Sequence, residues 1–101
     1  MVVNKFMDIE EIRNKITPIL RDNNIEYAAV FGSVARGEDG PNSDVDVLVR
    51  VKRPYGLVKF IYLKHRLEDA LNRPVDVVEY DAIKPSFAKN ILKDATPIYE
   101  Q

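Results

Sequence analysis

A strictly alternating segment near the middle of the chain constrains the fold most. From residue 44 the sequence reads DVDVLVRV. Successive side chains of a β-strand point to opposite faces, so this pattern predicts one apolar face and one mixed face. The predicted apolar face holds Val45, Val47, Val49 and Val51, and the other holds Asp44, Asp46, Leu48 and Arg50. A carboxylate in a half-buried strand is unfavourable unless a positive group compensates it, so the two aspartates predict a bound cation.

The composition predicts one soluble domain over residues 1–101. The chain has 101 residues, no cysteine and a formal net charge of −1. Disulfides and thiolate metal sites are therefore excluded, and the basic excess of a free-standing nucleic-acid binder is missing. No apolar run is long enough to span a bilayer, and the N-terminal MVVNKFMDIEE lacks the apolar core of a signal peptide. We therefore expect a cytoplasmic protein with no membrane segment and no strong nucleic-acid binding.

The first half of the chain predicts a helix, a strand and a short helix before the alternating strand. DIEEIRNKITPILRDNN has apolar residues at helical spacing, with Asp8 as the N-cap, and Pro18 predicts a kink or a split. IEYAAVFG is apolar on both faces, which favours a central strand. Residues 33–36 are expected to form a short helix, and EDGPNS a loop with solvated acids at Glu38 and Asp39.

The second half predicts two further helices and two strands. LVKFIYLKHRLEDALN reads as a long helix. Its predicted inward stripe comprises Leu57, Phe60, Ile61, Lys64, Leu67 and Leu71. VDVVEY is the third strand, KPSFAKNILKD a helix with Pro85 in its first turn, and PIYE a short last strand. The whole order predicts an α+β (mixed α/β) fold, with about four strands in a small mixed sheet and helices packed against one face.

The turn between the first strand and the short helix is a candidate phosphate site. Gly32 lets the backbone approach an anion closely, and the helix N-terminus presents free N–H groups. The hydroxyl of Ser33 and the guanidinium of Arg36 can add hydrogen bonds to phosphate. The alternatives are a plain capped turn and a surface arginine that pairs with Glu38 or Asp39.

The aspartate pair is a candidate magnesium site. Residues two apart on a strand lie about 7 Å from each other and point the same way. Mg²⁺ typically takes one or two carboxylates together with substrate phosphates, and two-metal sites place the ions about 4 Å apart. Asp44 and Asp46 are therefore candidates to bind Mg²⁺ together with a nucleotide, and such a pair can bridge two ions, although the chain lacks the familiar glycine–lysine phosphate loop.

Gly32-Ser33, ten residues and Asp44-x-Asp46 resemble the GS-x10-DxD signature of the polymerase-beta-like nucleotidyltransferases. FGSVARGE…SDVDVLV is similar to the minimal nucleotidyltransferases, the MNT-domain antitoxins that pair with HEPN-domain toxins. The resemblance extends from the first helix through the third strand. It implies the polymerase-beta-like fold and a third carboxylate from a later strand, which Asp76 matches.

The resemblance also implies roles for these residues. Ser33 would hold the terminal phosphates of ATP, with Gly32 making room, while Asp44 and Asp46 bind two Mg²⁺ ions. Asp76 would complete the metal site and help to deprotonate the acceptor hydroxyl. The implied reaction is AMP transfer from ATP to a tyrosine of a cognate HEPN toxin, with which the chain would form a hetero-oligomer.

Several alternatives stay open from the sequence. A non-catalytic antitoxin that blocks its toxin sterically, or a transferase acting on a small-molecule hydroxyl such as an aminoglycoside, would share the pattern. Asp76 is also consistent with a solvent-facing strand residue. His65, Glu79 and Asp81 are expected on the surface rather than in the site. The small size predicts that a partner protein or self-association supplies most of the acceptor selection.

Overall fold

The computed structural model describes residues 8–40 and 43–101. Residues 1–7, which belong to the segment searched for a signal peptide, and residues 41–42 of the predicted loop lie outside the described residues. The helices are α1 (Ile9–Asp22), α2 (Gly32–Arg36), α3 (Leu57–Leu71) and α4 (Pro85–Asp94), with a 3-10 turn at Tyr80–Ala82. The strands are β1 (Ile25–Phe31), β2 (Val45–Val51), β3 (Val75–Glu79) and β4 (Thr96–Glu100).

The four strands form one mixed sheet in the order β3-β2-β1-β4. β1 pairs antiparallel with both β2 and β4, and β2 pairs parallel with β3. The parallel pair is joined through α3, as a parallel connection requires a crossover. The predicted α+β class, the four-stranded mixed sheet and the internal position of the apolar β1 are confirmed.

The valine face of β2 forms the centre of the core. Val45, Val47 and Val49 have no solvent exposure and pack beneath α1 and α3. The two long helices therefore cover the predicted apolar face, whereas α2 and α4 contact each other and β1. No helix within the described ranges is both long and apolar enough to cross a bilayer.

Helix α1 follows its predicted pattern except at the proline. The Asp8 carboxylate accepts a hydrogen bond from Glu10 N at 3.1 Å, which confirms the N-cap. The helix runs without interruption through Pro18, so the proline does not split it. Pro18 is exposed, while Ile16 and Leu20 on either side are fully buried. The packing of both halves on one core outweighs the hydrogen bond that proline removes, which faces water.

The predicted inward stripe of α3 is wrong in part. Leu57 and Ile61 are 74% and 44% exposed, whereas Leu63, which that stripe omitted, is fully buried. Lys64 is half-buried and pairs with Glu68 rather than facing the core. The buried positions of the helix are Leu63, Leu67 and Leu71, with Phe60 and Ala70 packed against the same cluster. Apolar residues occupy two neighbouring sides of this helix, so periodicity alone selects the wrong side of its first turns.

The ends of the short elements are fixed by residues that tolerate a left-handed backbone. Gly37 ends α2 with φ +71°, and Asn72 ends α3 with φ +54°. Pro85 opens α4 at its first turn as predicted. The predicted short helix between β1 and the loop is confirmed as α2, and its first residues form the glycine–serine bend.

Candidate active site

The sheet register brings the candidate site residues to one edge of the sheet, where β1 ends and β2 and β3 begin. Asp46 on β2 is the Cα partner of Asp76 on the parallel strand β3. On its other side, Asp46 is the partner of Phe31, the last residue of β1. The chain then turns into α2 at Gly32, so the bend follows directly beside the Asp46 carboxylate.

The backbone at Gly32 touches the Asp46 side chain. A Cβ atom built on Gly32 would lie 2.2 Å from Asp46 Oδ2 and 3.2 Å from its Cγ. The φ of Gly32 is +74°, a left-handed conformation that side chains disfavour. Two independent features therefore require glycine at position 32: the positive φ and the lack of space for a Cβ atom. The structure therefore brings the bend and Asp46 together, while their sharing a nucleotide pocket stays a prediction.

Burial and the neighbouring negative charges raise the pKa of Asp46 above the ordinary aspartate value. Partial burial is the largest cause, followed by the negative charges of Asp76 and Asp44, while Arg36 acts in the opposite direction. Of these acids, Asp76 is also the Cα partner of Asp46 across the parallel strands. The like charges at this edge of the sheet disfavour ionisation of the Asp46 carboxyl.

Asp44 and Asp76 are more exposed than Asp46. β2 begins at Val45, so Asp44 immediately precedes the strand rather than opening it. Within residues 8–40 and 43–101, no three His, Cys, Asp or Glu side chains stand close enough to form a metal centre. The oxygen-only donor set of three aspartates nevertheless has the chemistry that Mg²⁺ prefers. Their negative charges, which disfavour one another at Asp46, fit a divalent cation.

Arg36 lies at the mouth of the candidate site but is engaged by acidic side chains. Its Nη1 lies 2.8 Å from Asp94 Oδ2, and its Nε lies 3.0 Å from Glu38 Oε1. The pairing with Glu38 matches the surface alternative, whereas Asp94 was not anticipated. A phosphate contact by Arg36 would therefore compete with these two carboxylates.

A groove of about 370 Å³ runs between the bend and α4. Its lining comprises Phe31, Gly32, Arg36, Asn90, Ile91, Lys93 and Asp94. This volume is within the usual range for small-ligand sites. The contribution of α4 was missed at the sequence level, because nothing local in KPSFAKNILKD indicates which helix returns to the glycine–serine bend.

Asp39 is not the solvated loop acid that its sequence context predicts. It is 2% exposed, and its Oδ2 lies 2.9 Å from Nη1 of Arg73. By contrast, Glu79 caps the 3-10 turn by accepting a hydrogen bond from Ala82 N at 3.1 Å. His65 is 67% exposed on α3, as expected, and its Nδ1 lies 3.6 Å from Glu68 Oε1.

The mixed sheet places the glycine–serine bend beside Asp46, and the comparisons with known proteins identify the class of protein. A family model described as "Polymerase beta, Nucleotidyltransferase" matches residues 14–101. The chain therefore belongs to the polymerase beta nucleotidyltransferase family, and it is an enzyme of the nucleotidyltransferase type.

Two curated relatives are similar over almost their whole length. A Methanocaldococcus jannaschii protein named as a candidate protein adenylyltransferase is 39% identical over 92 residues, covering 91% of this chain and 99% of that protein. Protein adenylyltransferase MntA of Thermococcus cleftensis is 37% identical over 92 residues, covering 87% of this chain and 93% of that protein.

A solved structure supports the fold. A crystal structure described as a toxin–antitoxin with AMP-PNP contains a chain with a TM-score of 0.78 and 25% identity. The match covers 88% of this chain and 73% of that one. The polymerase-beta-like fold implied by the sequence resemblance is therefore confirmed.

Proposed function

We propose that this chain is a Mg²⁺-dependent protein adenylyltransferase that transfers AMP from ATP to a tyrosine of a cognate HEPN toxin. In this role it is the antitoxin of a cytoplasmic toxin–antitoxin pair. The single observation that carries the proposal is the close approach of the Gly32 backbone to the Asp46 carboxylate, whose partner on the adjacent strand is Asp76. This arrangement would place a phosphate-binding bend beside carboxylates suited to hold a metal-bound triphosphate.

The proposed roles follow from where each side chain stands. Ser33, at the start of α2, would hold the terminal phosphates of ATP beside the Gly32 backbone. Asp44, Asp46 and Asp76 would hold two Mg²⁺ ions, which when bound supply neutralisation of the charge that develops on the α-phosphate. Asp76 would also accept the proton of the acceptor hydroxyl, because it lies beside Asp46 and is solvent-accessible.

The toxin as acceptor is supported by the similar proteins. The two relatives bear the name protein adenylyltransferase, and the structural neighbour is a toxin–antitoxin that holds an ATP analogue. The HEPN identity of the toxin and its tyrosine follow from the sequence resemblance. An open, groove-like site on a single small domain fits an acceptor that arrives on a separate protein.

The test mixes this protein with a HEPN-domain toxin encoded beside its gene, ATP and Mg²⁺, and measures the masses of both proteins by mass spectrometry. We expect an AMP adduct on a tyrosine of the partner. Asp46→Asn should reduce the rate at least about 100-fold, since it removes a charge that acts in the transition state. Asp22→Asn is the matched control, because the Asp22 side chain is 73% exposed at the end of α1 and should leave the rate unchanged.

Two results would contradict the proposal. One is an unmodified partner in the presence of a folded wild-type protein, ATP and Mg²⁺. The other is full neutralisation of the toxin in cells by Asp44→Asn, which would indicate a steric antitoxin without catalysis. AMP transfer to an added aminoglycoside instead of the partner would reassign the acceptor to a small molecule.

A further inference from the structure

A buried ion pair lies next to the candidate site but outside the signature residues. Arg73 Nη1 lies 2.9 Å from Asp39 Oδ2, and the two side chains are 11% and 0% exposed. In every other ion pair of the described residues, at least one side chain is 40% exposed or more. Exposed pairs contribute little, whereas breaking a buried pair leaves a charge away from water. Asp39 and Arg73 are therefore expected to stay paired, because separating them would leave both charges away from water.

The pair joins two segments that carry candidate carboxylates. Asp39 lies in the connection between α2 and β2, five residues before Asp44. Arg73 lies in the turn between α3 and β3, three residues before Asp76. The connection and the turn are separated by the whole of β2 and α3 in sequence, yet their side chains meet in the interior.

A backbone hydrogen bond reinforces this junction. Val45 N donates to the carbonyl oxygen of Pro74 at 2.9 Å. Val45 directly follows Asp44, and Pro74 directly follows Arg73. The segment before β2 is thus held to the turn before β3 by one side-chain pair and one main-chain bond.

We propose that Asp39 and Arg73 are positioning residues that hold Asp44 in register with Asp46 and Asp76. This inference rests on the proposed function, because it assumes that those carboxylates bind the metal–nucleotide. Neither member of the pair touches the substrate. Loss of the pair should shift the Asp44 segment, and a misplacement of about 1 Å can lower a rate by about 100-fold.

The first experiment compares Asp39→Asn with a matched surface variant. The amide keeps the shape of Asp39 but removes its charge, so its bond to Arg73 weakens, and circular dichroism establishes that the variant is folded before its kinetics are compared. We expect kcat to fall at least about tenfold, with the KM for ATP changing less than about threefold. Arg53→Met removes a guanidinium that is 62% exposed, two residues beyond the end of β2 that is opposite Asp46, and should stay within about twofold of wild type. A wild-type kcat in folded Asp39→Asn would overturn the inference.

A double replacement separates positioning from simple stabilisation. Asp39→Leu combined with Arg73→Met removes both buried charges, which is often neutral for stability. We expect a melting temperature near that of the wild type with kcat still at least about tenfold low, because apolar side chains do not fix one loop geometry. Recovery of both quantities together would overturn the inference and leave the pair a purely stabilising role.

Metal affinity provides a readout that needs no acceptor. Mn²⁺ binding, followed by electron paramagnetic resonance with a non-hydrolysable ATP analogue, should weaken at least about fivefold in Asp39→Asn. Equal affinity in Asp39→Asn and wild type would overturn the inference. A wild-type protein that binds Mn²⁺ and nucleotide but transfers no AMP to the toxin would refute the proposed acceptor alone.

Discussion

The two faces of β2 serve different ends, although one strand builds both. On the core face, Val45, Val47 and Val49 are fully buried beneath α1 and α3. On the other face, Leu48 is also fully buried, but Asp46 is half-buried against a glycine backbone and is the strand partner of Asp76. The first face stabilises the fold, whereas the Asp46 end of the second places like charges where they destabilise it. The buried valines thus offset the destabilising effect of the carboxylates at the candidate site.

The largest expected effect is on the core face. Leu67→Ala should lower the free energy of unfolding by about 2–5 kcal/mol, because Leu67 is fully buried and truncation leaves a cavity. Leu57→Ala is the matched control on the same helix and should change stability by less than about 0.5 kcal/mol, since Leu57 is 74% exposed. Urea denaturation of both variants measures the difference. Equal losses would mean that the sequence-derived stripe through Leu57 is correct after all.

A second prediction concerns the glycine that separates the bend from Asp46. Gly37→Ala tests a positive φ alone, because nothing lies within 4 Å of the added Cβ. Gly32→Ala adds a collision with the Asp46 carboxylate to the same kind of strain. We expect Gly32→Ala to be less stable than Gly37→Ala by about 1–3 kcal/mol and to lose nucleotide binding. Thermal unfolding and ATP titration check both parts, and equal stability of the two variants would argue against the close contact.

The smallest expected effect is a pH-dependent gain in stability on removing the Asp46 charge. Burial and the neighbouring acids raise the pKa of Asp46 in the folded protein above its ordinary value of 3.8. The Asp46 carboxyl then ionises at a lower pH in the unfolded chain than in the folded one. The free energy of unfolding therefore falls as the pH rises from the unfolded pKa through the folded pKa. Asp46→Asn should therefore melt at a higher temperature than the metal-free wild type at pH 7, with the difference vanishing below the ordinary value. A lower melting temperature at pH 7 would contradict this sign.

Local patterns were sufficient to predict the parts of the molecule that local chemistry determines. The alternation in DVDVLVRV predicted the buried valine face, and the apolar run before Gly32 predicted an internal strand. The family signature then predicted the fold. Asp39 shows why other features were missed, since its partner Arg73 is 34 residues away and only the folded chain brings them together.

The orientation of α3 and the position of α4 also depend on tertiary packing. Helix α3 carries apolar residues on two neighbouring sides, and the sheet selects the side that includes Leu63. Helix α4 has no fully buried residue, so its sequence does not indicate that Asp94 reaches Arg36 beside the bend. The buried side of α3 and the position of α4 both depend on the elements against which each helix packs.

The most direct test of the central claim is a crystal structure with Mg²⁺ and a non-hydrolysable ATP analogue. We expect metal ions within about 2.1 Å of oxygens from both Asp44 and Asp46, with the triphosphate on the N–H groups that follow Gly32. A nucleotide bound away from these carboxylates, or metal ions that leave both aspartates untouched, would contradict the claim that the bend and the acids form one site.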